Sequence, residues 1–166
     1  SIPFFDADLA RAIEPYVPTP RRRIETIRRL ADAGIRVRLN VAPVIPGLTD
    51  DQIPAILEAA RDAGAPHAAV ILLRRPPLVL EVLASRLRDA LPGRADRVMN
   101  QLRICRGGTV NDPRLGSRMR GTGARYEAIQ TLFDTTAARL GFEEPSREVD
   151  ETTFCRPHEG RQLALL

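Results

Sequence analysis

Residues 35–42 alternate apolar with other side chains between two helical patterns, and they read Ile35-Arg36-Val37-Arg38-Leu39-Asn40-Val41-Ala42. A period of two is typical of a strand that buries one face against a hydrophobic core. We therefore predict a strand that packs Val37, Leu39 and Val41 against a helical layer. Arg38 and Asn40 then lie on the opposite face of the sheet.

A unit of helix, glycine and strand occurs twice in the first half of the chain. The tripeptide Asp-Ala-Gly closes a predicted helix at residues 32–34 and again at residues 62–64. The second strand is the apolar run of residues 68–73, which is typical of a parallel strand covered on both faces. We expect Pro43 to end the first strand and residues 74–77, Arg-Arg-Pro-Pro, to end the second. Repeated units of this length are typical of right-handed crossovers that build a parallel sheet, so the sequence predicts an α/β fold.

The helix starts are predicted from side chains that accept hydrogen bonds from a first helical turn. Asp6 and Thr19 are the expected N-caps of the first two helices. Thr49 and Gln52 have the spacing of a capping box for the third helix. Apolar spacing predicts three more helices, over residues 78–91, 94–103 and 125–140, with a long turn-rich loop over residues 107–123.

Composition limits the classes of function that the chain can have. Its 166 residues are 43 % hydrophobic and carry a net charge of +4, which is enough apolar material for one globular core. All 25 basic residues are arginine, which excludes mechanisms that need a lysine amine, such as a Walker-type phosphate site or a Schiff base. A complete eight-unit barrel needs roughly 250 residues, so a barrel pattern in this chain has to be part of one.

The cysteine content favours a reducing compartment. Cys105 and Cys155 have neither the spacing of a disulfide framework nor that of a metal site. We therefore expect a cytoplasmic protein. No apolar run approaches the roughly 20 residues of a membrane span, so no membrane partner is expected.

Basic charge is concentrated in residues 94–125. This segment contains eight arginines and two aspartates, a balance of +6, whereas the whole chain has +4. Clustered arginines in a glycine-rich loop could bind the phosphates of a nucleic acid or of a charged substrate. A solvated basic surface explains the same pattern, and the sequence leaves both interpretations open.

Two interpretations are also open for the polar face of the first strand. In a closed or partial barrel that face is the interior, where Arg38 could hold a ligand carboxylate and Asn40 could donate and accept beside it. In a sheet with one solvated face, Arg38 and Asn40 are surface residues. The alternation of side chains alone does not decide between these interpretations.

Several segments together resemble one known family. They are residues 1–15, 34–50, 69–76, 106–108, 116–121, Phe142 and the tail from 154 to 163, and they look like the C-terminal half of a radical SAM protein. The group they resemble is the bacterial branch similar to spore photoproduct lyase, also described as DNA-repair-photolyase-like. The most specific parts are Ala-Pro-Val-Ile-Pro-Gly-Leu-Thr-Asp at residues 42–50 and Arg-Met-Arg-Gly at residues 118–121.

The resemblance implies a fold and a chemistry. Residues 1–91 would be the C-terminal portion of a partial (β/α) barrel, residues 92–141 a helical extension with the Arg/Gly-rich loop, and residues 142–166 a tail. The family cleaves S-adenosylmethionine with a [4Fe-4S] cluster held by a Cys-x-x-x-Cys-x-x-Cys loop, which this chain does not contain. We therefore expect the chain to need an N-terminal half as its partner and to be inactive alone.

The resemblance also assigns roles to individual residues. In the related molybdenum-cofactor cyclases a serine, a basic residue and an asparagine on successive strands contact the cofactor, and Ser1, Arg38 and Asn40 match them. Residues on the substrate side would be Arg74, Arg118 and Arg120. The alternative function is a non-catalytic module that binds nucleic acid through the basic segment at residues 94–125.

Overall fold

The computed structural model describes residues 1–74, 77–105 and 121–144. It contains six helices and two strands in this part of the chain. They are α1 (Ala7–Ile13), α2 (Pro20–Asp32), β1 (Arg38–Val44), α3 (Ile53–Asp62), β2 (His67–Leu72), α4 (Pro77–Ala90), α5 (Pro92–Ile104) and α6 (Ala124–Arg139). A single 3₁₀ turn, Asp50–Gln52, precedes α3. The predicted loop at residues 107–123 and the tail lie largely outside the described residues.

The two strands form a parallel sheet, as the repeated unit predicts. Leu39 lies opposite Ala68 and Val41 opposite Val70, with α3 as the crossover between the strands. The expected α/β class is therefore observed. Among the residues described, no helix combines the length and the apolar character that crossing a membrane requires.

The helix starts follow local chemistry in two cases. The Asp6 carboxylate accepts hydrogen bonds from the amides of Asp8 and Leu9 at the start of α1. The Thr19 hydroxyl accepts from the amide of Arg22 at the start of α2, where Pro20 occupies the first turn. Both predicted N-caps are confirmed, because each side chain satisfies an amide that has no partner within its helix.

The predicted capping box of α3 is wrong. The helix begins at Ile53, after the 3₁₀ turn, and neither Thr49 nor Gln52 caps it. The Thr49 hydroxyl accepts instead from the amide of Ile45, at 3.0 Å. The Gln52 amide oxygen accepts from the backbone of residues 5 and 6. Both side chains bond residues outside α3, so they are not available to its first turn.

The strands also differ from expectation in two details. β1 continues through Pro43 to Val44, whose carbonyl accepts from the amide of Leu73 at 2.9 Å. The register shifts between Val41 and Val44. The strand therefore continues beyond Pro43, which has no backbone N–H to donate, and still buries Val44. β2 is partly exposed from His67 to Ile71 and is not covered on both faces.

Two hydrophobic cores stabilise the described residues. The first core lies between one face of the sheet and helices α2, α3 and α6, and its fully buried side chains include Ile56 and Leu57. The second core joins α1, α4 and α5 at the carboxyl end of the strands, around Leu87 and Val98. Val44 and Leu72 belong to the first core, and the residues that follow them, Ile45 and Leu73, belong to the second. The two cores therefore meet at the carboxyl ends of both strands.

Candidate functional site

One face of the sheet carries no helix among the described residues. Strand alternation and register place Arg38, Asn40 and Ala42 of β1 on this face, beside Ala69 and Ile71 of β2. None of the five side chains belongs to either core. Arg38 is exposed and the other four are partly exposed. We call this surface the open face, and its position opposite the helices agrees with the alternation in the sequence.

Residues 1–3 extend the open face on the outer side of β1. The amide of Ile2 donates to the carbonyl of Asn40 at 2.9 Å. The segment then runs toward the carboxyl end of β1, because the amides of Phe5 and Asp6 bond to Gln52, beyond that end. In a parallel pairing this places Ser1 level with Asn40.

Ser1, Arg38 and Asn40 therefore share one face. Ile2 is buried in the first core, and its neighbour Ser1 is exposed on the opposite side. Ser1 follows the same alternation as the strand beside it. The structure thus brings together the three residues that the resemblance assigns to S-adenosylmethionine.

A cavity of about 400 Å³ opens between α2 and the outer edge of β1, on the side of the first core. Ser1 and Arg38 line it together with Arg23 and other residues of α2, whereas Asn40 does not. The Arg23 guanidinium donates to the Ser1 carbonyl at 2.8 Å and so fixes the wall of the cavity. Burial lowers the pKa of the Ser1 amino group, and the positive charge of Arg23 lowers it further.

The polar groups of Arg38 and Asn40 are available to a ligand. Within residues 1–74, 77–105 and 121–144, neither side chain makes a hydrogen bond or an ion pair. A guanidinium presents paired donors that match a carboxylate, and an amide both donates and accepts. The two groups therefore fit a ligand that carries a carboxylate and a neighbouring polar group, as an amino acid moiety does.

Hydrogen bonds from side chains hold the segment after β1 in place. The Asp50 carboxylate accepts from the amide of Gly47 at 2.7 Å and also forms an ion pair with Arg125 of α6. Asp50 is only 8 % exposed. With Thr49 and Gln52, this carboxylate fixes the turn that follows the strand, which we call the β1 turn (residues 45–52). The most specific part of the resemblance, residues 42–50, thus has a structural role here.

The pair of Asp50 and Arg125 was not predicted from the sequence. Arg125 was counted among the basic residues of the segment at 94–125, whereas the structure neutralises it with a nearly buried carboxylate. Its Nε atom is buried and has no hydrogen-bond partner among the residues that the structure describes. Asp50 lies in the most specific motif of the chain, and this is the one sequence signal that could have pointed to a role for its carboxylate. The 75 residues between Asp50 and Arg125 give no local pattern that predicts the pair.

The remaining predicted substrate residues are only partly placed. Arg74 is exposed just beyond the end of β2, at the carboxyl edge of the sheet. Arg118 and Arg120 lie outside the described residues. Of the basic segment, Arg94, Arg97 and Arg103 are exposed on α5. The described residues therefore bring Ser1, Arg38 and Asn40 together, and they do not join Arg74 to that group.

The chemistry of the described residues does not fit a [4Fe-4S] cluster. Three thiolates within reach of one another are needed, and Cys105 is the only cysteine in the described part of the chain. It is a buried member of the first core. No group of three or more His, Cys, Asp or Glu side chains in this part could hold a metal ion.

His67, the one histidine in the described part of the chain, has a structural contact. Its Nδ1 atom lies 3.2 Å from the Glu143 carbonyl, and its side chain is mostly buried at the start of β2.

Comparisons with family models, with curated proteins and with solved structures found no match to this chain.

Proposed function

We propose that this chain is the C-terminal part of a radical SAM enzyme similar to spore photoproduct lyase, with the open face contributing contacts to S-adenosylmethionine. One observation supports this proposal above the others. Ser1, Arg38 and Asn40 lie on one face of a parallel sheet, and the side chains of Arg38 and Asn40 have no partner among the described residues. Arg38 would hold the carboxylate of the amino acid moiety, and Asn40 its neighbouring polar groups.

The outer edge of β1 supports the proposal that the two strands belong to a partial barrel. The Asn40 carbonyl already accepts a hydrogen bond from Ile2 on this edge. By strand alternation the backbone groups of Arg38, two residues earlier, point the same way, and Arg38 lines the cavity of about 400 Å³ at this edge. A further parallel strand added there would continue the sheet. We propose that this strand comes from the N-terminal half, which would also carry the cysteines of the [4Fe-4S] cluster.

The compartment that fits this proposal is the cytoplasm. Two cysteines at this spacing favour a reducing environment, and an iron–sulfur partner requires one.

Ligand binding by the chain alone tests the cofactor contacts. Isothermal titration would compare S-adenosylmethionine with 5′-methylthioadenosine, which lacks the carboxylate. We expect Arg38→Gln to weaken binding of S-adenosylmethionine by about tenfold, the loss typical of a charge-assisted hydrogen bond, and to leave 5′-methylthioadenosine unchanged. Arg97→Gln, at an exposed position of α5, is the matched control. Equal effects of Arg38→Gln on both ligands, or no binding of S-adenosylmethionine, would contradict the proposal.

Reconstitution with iron and sulfide tests whether the cluster ligands lie in the proposed N-terminal half. Under anaerobic conditions we expect no stoichiometric [4Fe-4S] absorption on this chain, because it contains two cysteines and the family's cluster loop supplies three. Stoichiometric absorption would show that the chain holds the cluster itself and would overturn this part of the proposal.

A second candidate function is a non-catalytic module that binds nucleic acid. It is supported by Arg94, Arg97 and Arg103, which are exposed on α5. Under this alternative, DNA binding falls steeply with salt and is lost when Arg114, Arg118 and Arg120 are replaced, whereas Arg38→Gln has no effect on any ligand. Salt-independent DNA binding, or none, would contradict this second candidate.

A further inference from the structure

A second concave site lies at the carboxyl edge of the sheet, away from Ser1, Arg38 and Asn40. It is a groove of about 340 Å³ between α1 and the first turns of α4. Pro43 and Leu73 form its floor at the ends of the strands. Val79, Val82 and Arg86 of α4 form one side. The carboxyl edge of a parallel sheet is where α/β proteins most often bind ligands.

The side of the groove formed by α4 is apolar and exposed. Leu78 is 71 % exposed, Val82 is 54 % exposed and Val79 is 40 % exposed. The same helix buries Leu83 and Leu87 in the second core, so packing within the chain already uses one of its faces. The groove therefore presents an additional apolar surface that no described residue covers.

The groove also carries one positive charge without a partner. Two charged residues line it, Glu14 and Arg86. The Glu14 carboxylate lies 3.6 Å from the Arg23 guanidinium, which compensates its charge. Arg86 forms no ion pair or hydrogen bond with the described residues. The charge left for a ligand is therefore positive and lies at one end of an apolar surface.

We propose that this groove binds a small amphiphilic anion, with an aliphatic or aromatic body along Val79 and Val82 and a single acidic group on Arg86. The volume of the groove is within the range of about 300–1,000 Å³ that is usual for small-molecule sites. A stable protein partner buries roughly 1,200 Å² or more, and it would need further contacts outside this groove. The site is independent of the contacts proposed for S-adenosylmethionine, because it shares no lining residue with the cavity at Ser1 and Arg38.

Octanoate and octanol are the probes that separate the two parts of the proposal. They have the same chain length, and only octanoate carries a charge at neutral pH. Chemical-shift titration of the full chain would follow the amides of α1 and α4. We expect octanoate to bind in the groove and octanol to bind at least about fivefold more weakly, because only the carboxylate gains a charge-assisted bond from Arg86.

Three variants on α4 make the test specific. Arg86→Gln should weaken the binding of octanoate by about tenfold and leave the binding of octanol unchanged. Val82→Asp places a carboxylate on the exposed side of the groove and should abolish octanoate binding without unfolding the chain, since Val82 lies outside both cores. Arg88→Gln changes an exposed arginine outside the groove on the same helix and should have no effect.

Three outcomes would overturn the proposal. Equal affinity for octanoate and octanol would remove the role of Arg86. An equal loss in Arg88→Gln would show that the effect is general electrostatics. Sedimentation that shows a dimer of the chain, dissociated by Val82→Asp, would identify the groove as a surface between two copies instead.

Discussion

The side chain of Gln52 fastens the N-terminal segment to the β1 turn. Its amide oxygen accepts from the amide of Phe5 at 2.7 Å and from that of Asp6 at 3.0 Å. The spacing of Thr49 and Gln52 matches the capping-box pattern, but a spacing cannot show whether another partner comes from elsewhere in the fold. Here the partner is a backbone segment 46 and 47 residues away, which local sequence does not indicate.

Replacing Gln52 should loosen the segment that carries Ser1. Gln52→Met keeps the length of the side chain and removes the acceptor, so we expect amide hydrogen exchange at Phe5 and Asp6 to become about five- to tenfold faster. Gln52→Glu keeps an acceptor oxygen and should restore most of the protection. Unchanged exchange in Gln52→Met would show that these hydrogen bonds do not hold the segment.

Asp50 and Arg125 form the contact that attaches α6 to the β1 turn. Asp50→Asn keeps an oxygen for the amide of Gly47 and removes the charge that pairs with Arg125, whose Nε atom is already without a partner. We expect a loss of about 1–2 kcal/mol in the free energy of unfolding, measured with urea. Asp51→Asn, at the exposed neighbouring position, should change it by less than about 0.5 kcal/mol. Equal losses in the two variants would contradict a specific role for the pair.

The repeated helix–strand unit provides a matched comparison between two turns. Both Gly34 and Gly64 follow an Asp-Ala pair and have positive φ angles, 74° and 93°. A Cβ atom at Gly34 would meet nothing within 4 Å, whereas one at Gly64 would lie 2.7 Å from the Cβ of Ala31 in α2. The two glycines are equivalent in sequence and differ in packing, because only the second turn lies against α2.

Alanine at these two glycines should separate backbone strain from crowding. Gly34→Ala carries only the cost of the left-handed conformation, about 1–2 kcal/mol. Gly64→Ala adds overpacking against Ala31, and we expect it to cost at least about 1 kcal/mol more. Thermal or urea unfolding of both variants checks this difference. A Gly34→Ala variant that is as unstable as Gly64→Ala would contradict the packing of α2 against the second turn.

The elements were predicted from the sequence more completely than their surroundings. The N-caps at Asp6 and Thr19 depend on residues close in sequence, so pattern alone locates them. The expectation that β2 is covered on both faces is not met, because the covering of a strand depends on which elements pack there. The same limit applies to the open face. Alternation correctly predicts the side on which Arg38 and Asn40 lie, and it contains no information about what lies opposite them.

At the scale of the whole molecule, two cores meet at the carboxyl ends of both strands. The sheet, α2, α3 and α6 depend on the first core, and α1, α4 and α5 depend on the second. Val44 and Ile45 are consecutive residues of different cores, and both are at most 3 % exposed. Leu72 and Leu73 are divided in the same way, so the ends of β1 and β2 are where the stability of one core affects the other.

A cavity in the second core should loosen its helices before the sheet. Leu87 is fully buried, and Leu87→Ala should cost about 2–5 kcal/mol. In native-state hydrogen exchange we expect α1, α4 and α5 to lose protection first, while the amides of β1 keep theirs. Leu57→Ala in the first core is the matched variant and should affect β1, α3 and α6 first. Identical exchange profiles in the two variants would show that the cores open as a single unit.

The parallel pairing of the strands also imposes an order on the chain while a ribosome makes it. Arg38 lies opposite His67, and the amide of Ile2 bonds to Asn40, so these contacts join residues 29 and 38 positions apart. At roughly 5–20 residues per second, β1 emerges a few seconds before the strand that pairs with it. Helix–coil relaxation takes about a microsecond, so α2 equilibrates long before β2 emerges. Because α2 precedes β1 in the chain, it is synthesised before β2 and is the first element that Leu39 and Val41 can pack against.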